Sequence, residues 1–164
     1  MNTPSIFLQI ALIGTGATLI MDMWLQVLKR LGQPTLNFAM VGRWAGHCSR
    51  GTFRHVSIAK APPIHHELLL GWAIHYATGI AFAALPIAFT SPAWLLAPTP
   101  APALLTGLGT VLIPFMLMQP AMGLGVASAK TPTPTANRIR SIVNHSVFGV
   151  GLYISALLNS SIAH

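Results

Sequence analysis

The chain has 164 residues, of which 53% are hydrophobic and only 7% charged. Soluble domains carry about 25% charged residues, so this composition excludes an ordinary water-soluble globule. The net charge is +7, with Asp22 and Glu67 the only acids against nine Lys and Arg. In a soluble protein that balance points to nucleic acid, but membrane proteins collect Lys and Arg in cytoplasmic loops, so the expected partner is the lipid bilayer and not nucleic acid.

A spanning helix needs about 20 mainly apolar residues. Four stretches qualify, at about 5–28, 68–89, 103–127 and 141–158. The expected fold is therefore all-α, an integral membrane four-helix transmembrane bundle, with residues 1–164 as a single membrane domain. The first stretch lacks a basic leading region and is followed directly by Lys29 and Arg30, so it reads as a retained helix and not a signal peptide.

The loop 29–67 holds Lys29, Arg30, Arg43, Arg50, Arg54 and Lys60. Within it, Leu36 to His47 sets apolar residues around Arg43 and includes Trp44. This pattern suits a short interfacial helix with tryptophan at headgroup depth; a solvated basic loop against anionic lipid is the alternative. The connection 90–102 is proline-rich and uncharged. The third connection carries Lys130, Arg138 and Arg140, and its segment KTPTPT at 130–135 is too proline-rich for a helix. All the basic residues thus fall on one side, which the positive-inside rule makes cytoplasmic. Both termini then face the periplasm or exterior. No internal repeat emerges, so an inverted-repeat transporter is not supported.

Ionisable residues inside a span are costly and usually face the bundle interior. At the helical rise of about 1.5 Å per residue, Asp22 lies roughly 9 Å from the cytoplasmic end of its span, His75 roughly 10 Å, Gln119 roughly 12 Å and His145 roughly 6–9 Å. Each expected span therefore places a polar side chain in one layer of the cytoplasmic leaflet, with Glu67 at its mouth and Asn144 beside His145. Small residues at four-residue spacing mark the same faces: Gly14 and Thr18 with Asp22, Gly71 and Gly79 with His75, Gly123 with Gln119, Gly149 with His145. Pro114 and Pro120 are expected to kink the third span beside Gln119.

Four chemistries fit such a layer. The side chains can simply hydrogen-bond across the bundle and hold the helices in register. Asp plus two His, completed by Gln119 or water, is a ligand set for zinc or iron. His75 and His145 are candidate axial ligands of a haem b. An Asp–His pair can pass a proton or help a small solute. Thioethers of Met21, Met23, Met118 and Met122 favour Cu(I), although methionine in apolar helices usually packs. In the loop, His47 beside Cys48 is a further candidate for chemistry. The phosphate-loop, dinucleotide and nucleophile-elbow motifs are all absent, and the sequence does not decide whether the chain is an enzyme.

The segments GTGATLIMDMW, NFAMVGRWAGH, GWAIHYATG, MQPAMGLG and NRIRSIVNHSVFGVGLY resemble those of a family of small bacterial four-helix inner-membrane proteins known only as a domain of unknown function. The resemblance implies a bacterial inner-membrane protein and carries no activity with it. The expected function is a multi-pass inner-membrane protein whose Asp22, His75, Gln119 and His145 bind a metal or pass a proton or small solute. Two alternatives stand beside it: a non-catalytic assembly or interaction subunit, joined to a membrane-protein partner or to copies of itself, and a bis-histidine haem protein.

Overall fold

All the regular structure in the computed structural model, which describes residues 3–162, is helical. Four stretches are long and apolar enough to cross a membrane: Ile6–Arg30, Glu67–Phe89, Pro100–Ala121 and Pro134–Ile162. The fold is thus an all-α membrane bundle with four spans. The extreme ends of the chain, on which the expectation of periplasmic termini bears, lie outside the described residues.

The first span is α1 (Thr3–Arg30), with Lys29 and Arg30 in its last turn, where cations complement the negative end of the helix dipole. The amides of Gly32 and Gln33 return to the carbonyls of Lys29 and Leu28 at 3.1 and 2.9 Å, which closes the helix end.

The long loop is not simply solvated. It holds α2 (Phe38–Cys48), whose start is capped by the Asn37 side chain accepting from the Ala39 amide at 3.0 Å. One face of α2 buries Phe38, Val41, Gly42 and Arg43.

The second span is α3 (Glu67–Phe82) followed by α4 (Leu85–Phe89). They are separated just before Pro86, which has no amide to return to Phe82. The third span is more broken than expected. It runs as α5 (Pro100–Thr110), a π-helical turn (Pro114–Met118) and the short α6 (Gln119–Ala121). The Gln119 amide reaches five residues back to Pro114. The span stops at Ala121 and does not continue to about 127. Gly123 takes φ +87°, its amide and that of Leu124 return to Pro120 and Gln119, and the chain turns away.

The last span, α7 (Pro134–Ile162), begins inside the segment expected to be too proline-rich for a helix. Proline is favoured in a first helical turn because its missing amide has no partner there in any case.

The chain forms two compact units. The first contains the residues up to Pro34, Tyr76–Thr110 and those from Val143 onward; the second contains Thr35–His75 and Val111–Ile142. In the first unit, Gly14 of α1 packs on Gly79 and Ile80 of α3, and Ala17 of α1 packs on Gly151 of α7. Gly149 of α7 lies against Ala103 and Gly107 of α5. Its core gathers Ile13, Ala17, Trp94, Leu95, Phe148 and Leu152. In the second unit α2 crosses the start of α3 at Gly42 and Gly71, where a Cβ on Gly71 would fall on the Phe38 carbonyl oxygen. Small residues at the crossing let the two backbones touch.

Candidate functional site

The first unit holds Asp22, Asn144 and His145, each engaged by another helix. The Tyr76 hydroxyl of α3 donates to Asp22 Oδ2 at 2.8 Å. The Trp24 indole N–H of α1 donates to Asn144 Oδ1 of α7 at 3.0 Å. His145 Nδ1 lies 3.1 Å from Thr110 Oγ1 of α5, which itself donates to the Gly107 carbonyl at 2.8 Å. These contacts link α1 to α3, α1 to α7 and α5 to α7. The glycine seams described above bring the same helices close enough for them.

The second unit holds His75, Gln119, Glu67, His47 and Cys48. Its strongest feature is Arg43, 9% exposed on the inner face of α2. Arg43 Nε and Nη2 donate to the two oxygens of Glu67 at 2.8 and 2.7 Å. Its third nitrogen, Nη1, faces the carbonyls of Ile58, Ala59 and Ala61 at 3.4, 3.4 and 3.2 Å. Glu67 Oε2 also accepts the Ile64 amide at 3.1 Å. The fork of the guanidinium thus closes α2, the 3₁₀ turn Ile58–Lys60 and the start of α3 into one structure. The hydrogen bond and charge of Glu67 push the Arg43 guanidinium above its already high ordinary value, so it stays charged. Glu67, expected at the mouth of a site, instead anchors this structure.

Gln119 is buried, and its Oε1 accepts from the Ser128 hydroxyl at 3.1 Å. This bond spans the turn that ends the third span. The His75 ring lies 4.5 Å from that of Phe38 and 5.6 Å from that of Trp72. His47 Nε2 sits 2.9 Å from the Pro62 carbonyl, and its ring meets His55 edge-on at 5.0 Å. Both ring nitrogens of His55 are buried without a hydrogen-bond partner. Burial pushes the Cys48 thiol up, so it is less nucleophilic at neutral pH than a free cysteine.

The expected layer of Asp22, His75, Gln119 and His145 draws on both units. The zinc or iron ligand set expected from it is not assembled: among the described residues no three of His, Cys, Asp and Glu come together as a metal requires. Asp22, Gln119 and His145 instead hydrogen-bond to Tyr76, Ser128 and Thr110.

Sequence reasoning missed Arg43, Tyr76, Thr110, Ser128 and His55. Arg43 left a legible signal, since it shares the buried face of α2 with Phe38 and Val41. A cation there needs an acid, and Glu67 is the only one outside α1. Hydroxyl partners such as Thr110 and Ser128 left none, because a lone Ser or Thr in an apolar stretch or a turn does not reveal which distant side chain it meets.

A family model described as "Protein of unknown function (DUF2938)" matches residues 11–159. No curated protein and no solved structure matches the chain.

Proposed function

The chain belongs to this family of proteins of unknown function, and from that premise we propose that it acts in the bacterial inner membrane as a non-catalytic assembly or interaction subunit. Its polar intramembrane residues hold the helices in register. The observation that carries this reading is the pairing of Asp22 with Tyr76, Asn144 with Trp24, and His145 with Thr110. Each pair joins two different helices, as a structural network does. Partners of the subunit are a second membrane protein or further copies of this chain.

The basic residues support an orientation with the second unit at the cytoplasmic face and both termini periplasmic. Arg43, Arg50, Arg54, Lys60, Lys130, Arg138 and Arg140 all belong to that unit, as the positive-inside rule expects of cytoplasmic segments. Labelling of Thr52→Cys in a Cys48→Ala background with a membrane-impermeant maleimide tests it. Labelling in intact spheroplasts reverses the orientation; labelling only after lysis supports it.

A second reading, passage of a proton or small solute, draws on the Asp22–Tyr76 contact, a titratable pair on two spans. A double-mutant cycle with Asp22→Asn and Tyr76→Phe separates the two readings. A structural pair gives a coupling of about 0.6 kcal/mol in thermal unfolding and leaves proton leak in reconstituted vesicles unchanged. A proton path loses its flux in Asp22→Asn while the protein stays folded.

A further inference from the structure

The second unit contains one acid, Glu67, and Arg43 occupies both of its oxygens. Arg50, Arg54, Lys60 and Lys130 are exposed in the same unit with no carboxylate to answer them. Among them stand two bare apolar side chains, Phe53 at 63% exposure and Val56 at 99%. The segment that carries them is held in place. The His55 and Ile58 amides donate to the carbonyls of Ala121 and Met122 at 2.8 and 3.0 Å, and the Phe53 carbonyl accepts the Trp44 indole N–H at 3.0 Å. Gly123 lies so close beneath that a Cβ there would fall on the Val56 carbonyl oxygen. Pinned on its inner edge, the segment turns His55 inward and leaves Phe53, Arg54 and Val56 outside.

We infer that residues 50–60 form a preformed lipid-binding tip, in which Phe53 and Val56 enter the acyl boundary while Arg50, Arg54 and Lys60, with Lys130, take the phosphates of anionic lipid headgroups. Apolar side chains flanked by Lys and Arg are the combination that binds anionic interfaces: burial of the apolar groups and attraction of the cations add. The exposed charges here carry a single, positive sign beside bare apolar side chains, the complement of an anionic lipid surface over an apolar interior. The inference rests on the proposal that this unit lies at a membrane face, but it does not depend on which face.

The test is lipid retention by the detergent-purified full chain, read by native mass spectrometry during titration with phosphatidylglycerol or phosphatidylcholine. The expected result is preferential retention of phosphatidylglycerol. The triple variant Arg50→Gln/Arg54→Gln/Lys60→Gln lowers that preference by roughly 10-fold or more, since each basic residue near an anionic surface contributes several-fold in affinity. Phe53→Ser/Val56→Ser weakens retention of phosphatidylglycerol and abolishes quenching of tryptophan fluorescence by brominated lipid at this segment, read in a variant that keeps Trp44 and replaces the other tryptophans with Phe. Equal retention of the two lipids, or a triple variant that behaves as the parent, overturns the inference. Complete displacement by millimolar inorganic phosphate overturns it too, because it marks a free-anion site. The side chains of Arg50, Phe53, Arg54, Val56 and Lys60 are exposed, whereas Trp94 is buried, so each fluorescence variant is compared with its own single-tryptophan parent, and an unchanged melting temperature within each pair confirms that the variants are folded. Sidedness is read independently by the maleimide experiment, so the two proposals fail separately.

Discussion

Arg43 and Glu67 meet fork to fork, with both carboxylate oxygens engaged at 2.8 and 2.7 Å, and the remaining guanidinium nitrogen turned to three backbone carbonyls. The pair joins a helix of the long loop to the first residue of the second span. Its two side chains are 11% and 18% exposed, so removing one partner leaves a largely desolvated charge behind. Glu67→Gln is expected to lower stability by about 2 kcal/mol, below the value for a fully buried pair because some solvent reaches it. Arg43→Lys is expected to fail as a replacement, because an ammonium cannot present the same planar fork. The double variant Arg43→Met/Glu67→Leu should recover part of the loss. Thermal unfolding in detergent measures all three, and an additive double variant would show that the two residues act separately.

The crossing of α2 and α3 depends on having no side chain at Gly42 and Gly71. A Cβ at Gly42 would land on the Glu67 carbonyl, and one at Gly71 on that of Phe38. Backbone atoms cannot rotate aside as a side chain does. Gly71→Ala is therefore expected to cost about 1–3 kcal/mol. Gly109→Ala is the control: nothing lies within 4 Å of its Cβ position, so the change should be within about 0.5 kcal/mol of neutral. Equal melting temperatures for the two variants would contradict the packing.

Gly123 combines a left-handed backbone with contact against the Val56 carbonyl. Gly123→Ala should therefore unseat residues 55–58 from the end of the third span. The expected readout is faster tryptic cleavage at Arg50 and Arg54, with α1 and α7 still protected. Cleavage at the parent's rate would mean that the segment is held by other contacts.

Cys48 is the only thiol in the chain, and burial pushes it up. A raised value means less thiolate at neutral pH, so alkylation should be slow there. It should accelerate only above the ordinary thiol range of about 8.5. Iodoacetamide rates followed by mass spectrometry across pH test this, and denaturant should bring the inflection back to the ordinary range. An inflection at or below that range in the folded protein would instead point to an activated cysteine.

Much of the membrane architecture was legible in the sequence. Hydrophobic length alone located four spans, because backbone groups in lipid must be satisfied within a helix and a helix of given rise needs a set number of residues to cross. The glycine faces were legible too: Gly14 and Thr18 do form the seam with Gly79, and Gly149 does form the seam with α5. Gly71, on the same face of α3 as Gly79, instead receives α2, because a spacing of four identifies a face without naming what lies against it.

The partners of the polar residues were decided only by tertiary structure. Depth along a helix is a one-dimensional quantity that follows from counting residues, and it placed Asp22, His75, Gln119 and His145 at similar levels. Whether such groups converge on one point depends on helix rotation and crossing, which packing sets. Packing gave Asp22 to Tyr76, His145 to Thr110 and Gln119 to Ser128. It also turned Arg43, one basic residue among nine by composition, into the tie that organises the loop. Composition and hydrophobic length determined that this chain has four helices long and apolar enough to cross a membrane; the contacts between distant segments determined what its few polar side chains meet, because a hydrogen bond requires two groups within about 3 Å of each other, and no one-dimensional pattern records that distance.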